Sequence, residues 1–113
     1  MSKLEKIVPS LELCKLIPAG EFEDAALVWR YDHICGFICL LPGHPDETAR
    51  LRNDGMIYPA PTLEEIFDSI CELPNTDFTD MHIISKGKCY SYPTDAGSAL
   101  ELYLKLKGIE VKA

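Results

Sequence analysis

A chain of 113 residues is the size of one ordinary domain, too short for two independent cores, and its 47% hydrophobic content supplies one. A formal net charge of −7 opposes approach to a phosphate backbone, because nucleic-acid affinity comes largely from Lys and Arg displacing counterions; only a local basic patch stays open. A charged-then-apolar leader and a run of membrane-span length are both missing, and five cysteines without framework spacing fit a reducing compartment, so the expectation is a soluble cytoplasmic protein with no membrane or nucleic-acid partner.

The first seven residues, charged and apolar by turns, read as a loose start or a short edge strand. Ser10 offers an N-cap ahead of Leu11, Leu13, Cys14, Leu16 and Ile17, and Pro18 forbids continuation, which predicts a helix of about two turns. Ala25 to Tyr31 follows as a strand with Leu27, Trp29 and Tyr31 on one face and Ala26 and Val28 on the other. Asp32-His33 reverses the chain, and Ile34 to Leu41 returns as a second strand. Its faces, Ile34/Ile38/Leu40 and Cys35/Phe37/Cys39/Leu41, are both apolar, which implies cover on both sides.

Pro42 to Gly55 is the most polar stretch. Pro45 suits a first helical position, Asp46 and Glu47 complement the positive helix end, Arg50 and Arg52 the negative end, and Asn53-Asp54-Gly55 stops it; a short surface helix and disorder are the two readings. Met56 to Pro61 is an extended lead-in to a capping box, Thr62-Leu63-Glu64-Glu65. The helix that follows places Leu63, Ile66, Phe67, Ile70 and Leu73 on one face and ends at Pro74-Asn75. Met81 to Ser85 and Cys89 to Tyr92 form a hairpin turned by Lys86-Gly87-Lys88. Leu100 to Lys107 alternates with strand period, yet its Leu, Glu and Lys are strong helix formers, Thr94 or Asp95 can cap, and Gly108 sits at a C′ position. The reading is a helix over about 95–107, buried on more than one side, which either fills the gap between the two halves or meets a second subunit.

The chain also echoes itself. Val8-Pro9-Ser10-Leu11-Glu12 returns as Ala60-Pro61-Thr62-Leu63-Glu64, 52 positions on, and Pro18-x3-Phe22-x-Asp24-x2-Leu27-Val28 returns as Pro74-x3-Phe78-x-Asp80-x2-Ile83-Ile84, 56 positions on. The expected architecture is therefore one α+β domain over residues 1–113: tandem α-β-β units (8–41 and 60–92), a polar insertion (42–55) and a C-terminal helix. Helices pack on a four-stranded, mainly antiparallel sheet.

His33-x-Cys35-x3-Cys39-x4-His44 holds zinc-ligand residue types, but on a strand Cys35 and Cys39 lie about 13 Å apart at 3.3 Å per residue, whereas two thiolates on one zinc lie within about 4 Å of each other. Cys14 and Cys71 fall on apolar helix patterns, and Cys89, with Lys86 and Lys88 nearby, opens a strand. His33 reads as a turn residue, His44 as a loop residue and His82 as a strand residue facing solvent. Glu64 and Glu65 belong to the cap, and Asp24 with Asp80 reads as a repeated structural turn rather than a catalytic pair. The sequence assigns no catalytic, cofactor-binding or metal residue, and the reading leans away from an enzyme. Trp29, Tyr31, Tyr90 and Tyr92 either line a binding face with Arg30 or cover the sheet beneath the helices.

The segments Pro9-Ser10-Leu11-Glu12-Leu13-Cys14-Lys15-Leu16-Ile17-Pro18, Phe22 to Trp29, Tyr58-Pro59-Ala60-Pro61-Thr62-Leu63-Glu64-Glu65-Ile66 and Ala99 to Gly108 are similar to small uncharacterised proteins from prophage-like and other mobile regions of gut anaerobic bacteria. His33 to Gly55 departs from that pattern. The resemblance implies a bacterial or phage cytosolic protein and a helical last element, and it carries no activity. The functional expectation is a non-enzymatic interaction module that binds a protein partner or itself. An acidic decoy imitating nucleic acid is the alternative, and a small thiol- or metal-dependent enzyme the third. Residues 42–55 and the final helix, outside the repeat, are where partnership is to be sought.

Overall fold

Each half of the chain begins with a helix whose first free amide is taken by a hydroxyl. Ser10 accepts from the N–H of Leu13, and Thr62 accepts from the N–H of Glu65. The computed structural model describes residues 7–34, 36–52 and 55–111. Its elements are α1 (Leu11–Cys14), β1 (Leu27–Asp32), β2 (Phe37–Pro42), α2 (Pro45–Arg52), β3 (Ile57–Pro59), α3 (Leu63–Cys71), β4 (Thr76–Phe78), β5 (His82–Ser85), β6 (Lys88–Ser91) and α4 (Ala96–Leu106). The expectations for residues 1–6, for Cys35 and for Asn53-Asp54 lie outside the described residues.

The fold is α+β and its strand pairing is antiparallel, but the expected four-stranded sheet is replaced by two sheets of three strands, ordered β2-β1-β3 and β4-β5-β6. The difference comes from two short segments read as connections. Ile57–Pro59 pairs with β1, Trp29 opposite Tyr58, and Thr76–Phe78 pairs with β5, Phe78 opposite Ile83. Each satisfies the open side of a hairpin's inner strand, a cost the backbone would otherwise carry unpaired. Pro59 fits because Ala60 N–H bonds Leu27 O and Tyr31 N–H bonds Met56 O; the alternate position between them needs no donor toward β1.

The halves share a capped helix followed by a hairpin, and Leu27 and Ile83, matched in sequence, both pack on the common core. Their third strands, however, have different origins: β4 precedes its hairpin, whereas β3 follows its own, so the two units differ in topology. Phe22 and Phe78 also diverge. Phe22 lies at φ 58 in a turn with its ring edge-on to Tyr103, centroids 5.1 Å apart. Phe78 is a strand residue, 38% exposed and tilted against Tyr92.

The first hairpin is shorter than its sequence pattern. Ile34 N–H bonds the Asp32 carboxylate (2.9 Å), Gly36 N–H bonds Asp32 O (2.8 Å), and Gly36 adopts φ 77, so the reversal uses Asp32 to Gly36 and β2 starts at Phe37. Ile34 is a turn residue, not a strand residue. The second hairpin is tighter: Lys86 (φ 52) and Gly87 (φ 79) form the two central positions of a type I′ turn between Ser85 and Lys88. α1 spans four residues and continues as i to i−3 turns through Ile17 instead of a second full turn.

α4 is the helix expected from its composition, capped by Asp95, which accepts from Ser98 N–H (2.7 Å). It ends in a Schellman arrangement: Gly108 at φ 82 donates to Lys105 O and Ile109 to Leu104 O. Ala99, Leu100 and Leu104 are fully buried, and the helix packs against α3 and α1, filling the gap between the halves. Val8, Cys14 and Ile17 from the first half and Ile66, Ile70 and Ile83 from the second join one cluster around it. α2 is ordered as a helix and lies against β3, where Val28, Ile57 and Thr48 form the buried layer on the other face of the first sheet.

The capping box couples the halves as well. Glu65 accepts from Thr62 N–H with one carboxylate oxygen (2.8 Å) and from Ala26 N–H, at the approach to β1, with the other (3.2 Å). Thr62→Ala is expected to cost about 1 kcal/mol, the usual value of one cap. Glu65→Ala, which loses both bonds, is expected to cost about 2 kcal/mol. Urea denaturation followed by Trp29 fluorescence checks the order; equal losses would contradict the second contact.

Candidate interaction surface

Most residues singled out for chemistry are used by the fold itself. Trp29 donates its indole N–H to Pro9 O (3.2 Å) and packs on the core. Tyr92 donates its hydroxyl to Thr79 O and stacks between Phe67 and Phe78, centroids 6.1 and 6.3 Å away. Tyr90 also packs on the core, with Lys105 Nζ 5.7 Å over its ring. Arg30 is ion-paired with Glu47 of α2. Of the four aromatics, only Tyr31 is exposed, and its ring meets His33 edge-on at 5.2 Å. These aromatics cover their sheets; they do not form one shared binding face.

The cysteines and histidines are dispersed. His33 lies in the reversal, His44 precedes α2 with its carbonyl accepting from Thr48 N–H, and His82 opens β5 at the surface. Among the described residues no group of three or more His, Cys, Asp or Glu side chains is placed to hold a metal ion. Cys14 is fully buried; burial pushes its thiol up from an ordinary 9.0 to about 12, while the Trp29 indole and the Arg52 charge pull weakly the other way. A thiol held so firmly protonated is no nucleophile.

Long-range polar contacts are likewise structural. Glu21 accepts from the Tyr103 hydroxyl and from Lys107 Nζ (3.0 Å), fastening the loop before β1 to the end of α4. Burial first, then the bond to Glu21, raises the Tyr103 phenol. Arg52 donates to Ile17 O and lies 4.9 Å over the Tyr58 ring, tying α2 to the turn after α1. One local basic patch does form. Lys86, Lys88 and Lys105 line a shallow groove of about 240 Å³ around Tyr90.

A different surface, at the end and edge of the first sheet, meets no partner among the described residues. Ile34 is 95% exposed and Phe37 62%, with Tyr31 and Met56 also exposed beside them, Tyr31 and Met56 being joined by a backbone bond. β2 forms the sheet's edge, and its six residues, Phe37-Ile38-Cys39-Leu40-Leu41-Pro42, carry no charge. Gly43 N–H donates to Ala26 O (2.9 Å), so alternation turns the backbone of Leu41, Cys39 and Phe37 toward β1 and that of Leu40 and Ile38 outward. Those outward groups meet no backbone partner among the described residues. The other edges are protected in familiar ways: β3 and β4 have three residues each, with Pro59 in one and Asp77 in the other, and β6 carries Lys88.

Sequence reasoning found these residues but asked for cover on both sides of the strand. The signal it passed over was the absence of any charge on a strand with no neighbour beyond it. α2 leaves the β2 edge open because it packs against β3, at the opposite side of the sheet. No protein family, curated protein or solved structure matches the chain.

The native chain is expected to label with a thiol reagent at exposed Cys71 and Cys89 and to spare Cys14 until urea is added; native labelling of Cys14, read by peptide mass mapping, would contradict its burial. Stability should also fall as pH rises above about 9, where the unfolded chain releases the Cys14 proton and the folded chain retains it. Below that pH both states hold the proton and the group contributes no slope. Cys14→Ala should flatten this part of a urea-denaturation series against pH, leaving the Tyr103 part, which has the same sign.

Proposed function

We propose that the protein is a small non-enzymatic interaction module of a bacterial or phage cytoplasm, and that its contact surface is the open edge of β2 with the apolar hairpin end beside it. The observation that carries the reading is the contrast among the four sheet edges. Three have four residues or fewer, and the fourth has six, none of them charged, with outward backbone groups at Ile38 and Leu40 that meet no backbone partner among the described residues. An edge of that kind pairs with any extended strand offered to it, which makes it a hazard unless a partner covers it.

The pairing of the chain's own carboxylates favours this reading over an acidic decoy. Imitation of nucleic acid needs free carboxylates ranked along one face, yet Glu21, Glu47, Glu65 and Asp95 are each held by groups of their own chain. Three lysines, moreover, share one groove. A thiol enzyme is disfavoured by the protonated, enclosed Cys14.

Ile34→Asp combined with Phe37→Asp adds charge where the side chains already face water, so stability should stay within about 0.5 kcal/mol of the parent. Association, whether with itself in sedimentation or with proteins quantified in affinity capture from a bacterial host, is expected to weaken by about tenfold or more. Unchanged association in the folded double variant would contradict the assignment of this surface.

A further inference from the structure

The edge of β2 is complementary to itself. Resting on the reading of that edge as the contact surface, we infer that its occupant is a second copy of this chain, paired β2 to β2 about a twofold axis that passes at Cys39. A twofold perpendicular to a sheet sets two identical strands antiparallel, and it makes the contact isologous, each copy giving what it receives.

The register follows from which backbone groups are free. Gly36 at φ 77 has left the extended conformation, and Pro42 has no N–H, so Ile38 and Leu40 are the positions within β2 that present both an outward donor and an outward acceptor. Placing Ile38 opposite the partner's Leu40 matches every one of these donors to an acceptor, and the symmetry repeats the match on the other side of the axis. Shifting the strands by two residues one way brings Gly36, which is not extended, into the ladder; shifting them the other way sets Pro42 opposite Ile38 and leaves the Ile38 carbonyl, inside the ladder, without a donor.

Side chains agree with this register. Phe37, 62% exposed in the single chain, falls opposite the partner's Leu41, and Ile38 falls opposite the partner's Leu40, so each cross-strand pair is apolar. Each copy carries a net charge of −7, which disfavours association in general, but β2 bears none of that charge and Arg30 beneath it is neutralised by Glu47. A sheet of six strands, β3-β1-β2 continued by its copy, results.

Cys39 supplies the reporter. On the axis it faces its own copy in a non-hydrogen-bonded pair, where Cα atoms are about 4.5 Å apart, within the roughly 4.4–6.8 Å that a disulfide spans. In a chain carrying Cys35→Ser, Cys71→Ser and Cys89→Ser, diamide, which takes up the two electrons and two protons of a thiol pair, is expected to link two copies through Cys39, and Cys39→Ser should abolish the link. Sedimentation of the unmodified protein should move from 12.6 kDa toward twice that mass as concentration rises. Phe37→Lys should raise the dissociation constant by about tenfold or more, and the amides of Ile38 and Leu40 should exchange hydrogen more slowly in the dimer.

Two results would overturn the inference, and they differ in what else they remove. A mass of 12.6 kDa at every concentration, with Ile38 and Leu40 amides exchanging freely, excludes a second copy while leaving the edge available to a foreign strand. A dimer that ignores Phe37→Lys and forms no Cys39 link associates through some other face, and it overturns both this inference and the proposed contact surface.

Discussion

Leu100 and Leu104 sit at the centre of the shared core: among the described residues α4 packs against α3 and α1, and Leu27, Trp29 and Leu40 of the first sheet and Ile83 and Tyr90 of the second join its cluster. The two leucines are fully removed from water, together with Ala99, and the side chains that meet in their cluster come from α1, α3 and β5. Wedging one helix between the halves gives each a packing layer at once, and the helix can do this because its leucines recur around more than one side of its circumference.

The contacts at the periphery reinforce that arrangement. Glu65 bridges the start of α3 to the approach of β1, Glu21 fastens the preceding loop to Tyr103 and Lys107, and Arg52 ties α2 to the turn after α1. Carboxylates and guanidinium that a sequence count treats as surface charge are thereby spent on joining distant segments. α2, with Arg52 over the Tyr58 ring, packs on β3 beside buried Val28 and Ile57. The apolar, uncharged edge of β2 is the surface to which the proposed pairing is assigned.

Elements whose residues satisfy a local rule were legible in the sequence. The cap at Thr62-Glu65, the Lys86-Gly87 turn, the helix over Pro45–Arg52 and the C′ glycine at Gly108 all appear where their local chemistry places them. The α+β class followed from them. β3 and β4 were not legible: three residues each leave no periodicity, and only the need of β1 and β5 for a second neighbour makes them strands. That need also divided the expected single sheet in two. The contact surface was half visible. The apolar residues of β2 stood out, but whether such a strand lies inside a sheet or at its edge depends on long-range pairing, and no pattern within the strand encodes it. The helices Pro45–Arg52 and Ala96–Leu106 pack against β3 and against α3 and α1 respectively.

α4 makes one cooperative unit of two sheets that share no hydrogen-bonded strand pair among the described residues. Native-state hydrogen exchange across a urea series tests it directly, reading Trp29 in β1 and Ile83 in β5. Because both strands depend on the same helix, their amides should merge onto one opening free energy equal to that of global unfolding. Two separate isotherms, with the sheet of β5 persisting after that of β1 has opened or the reverse, would contradict it.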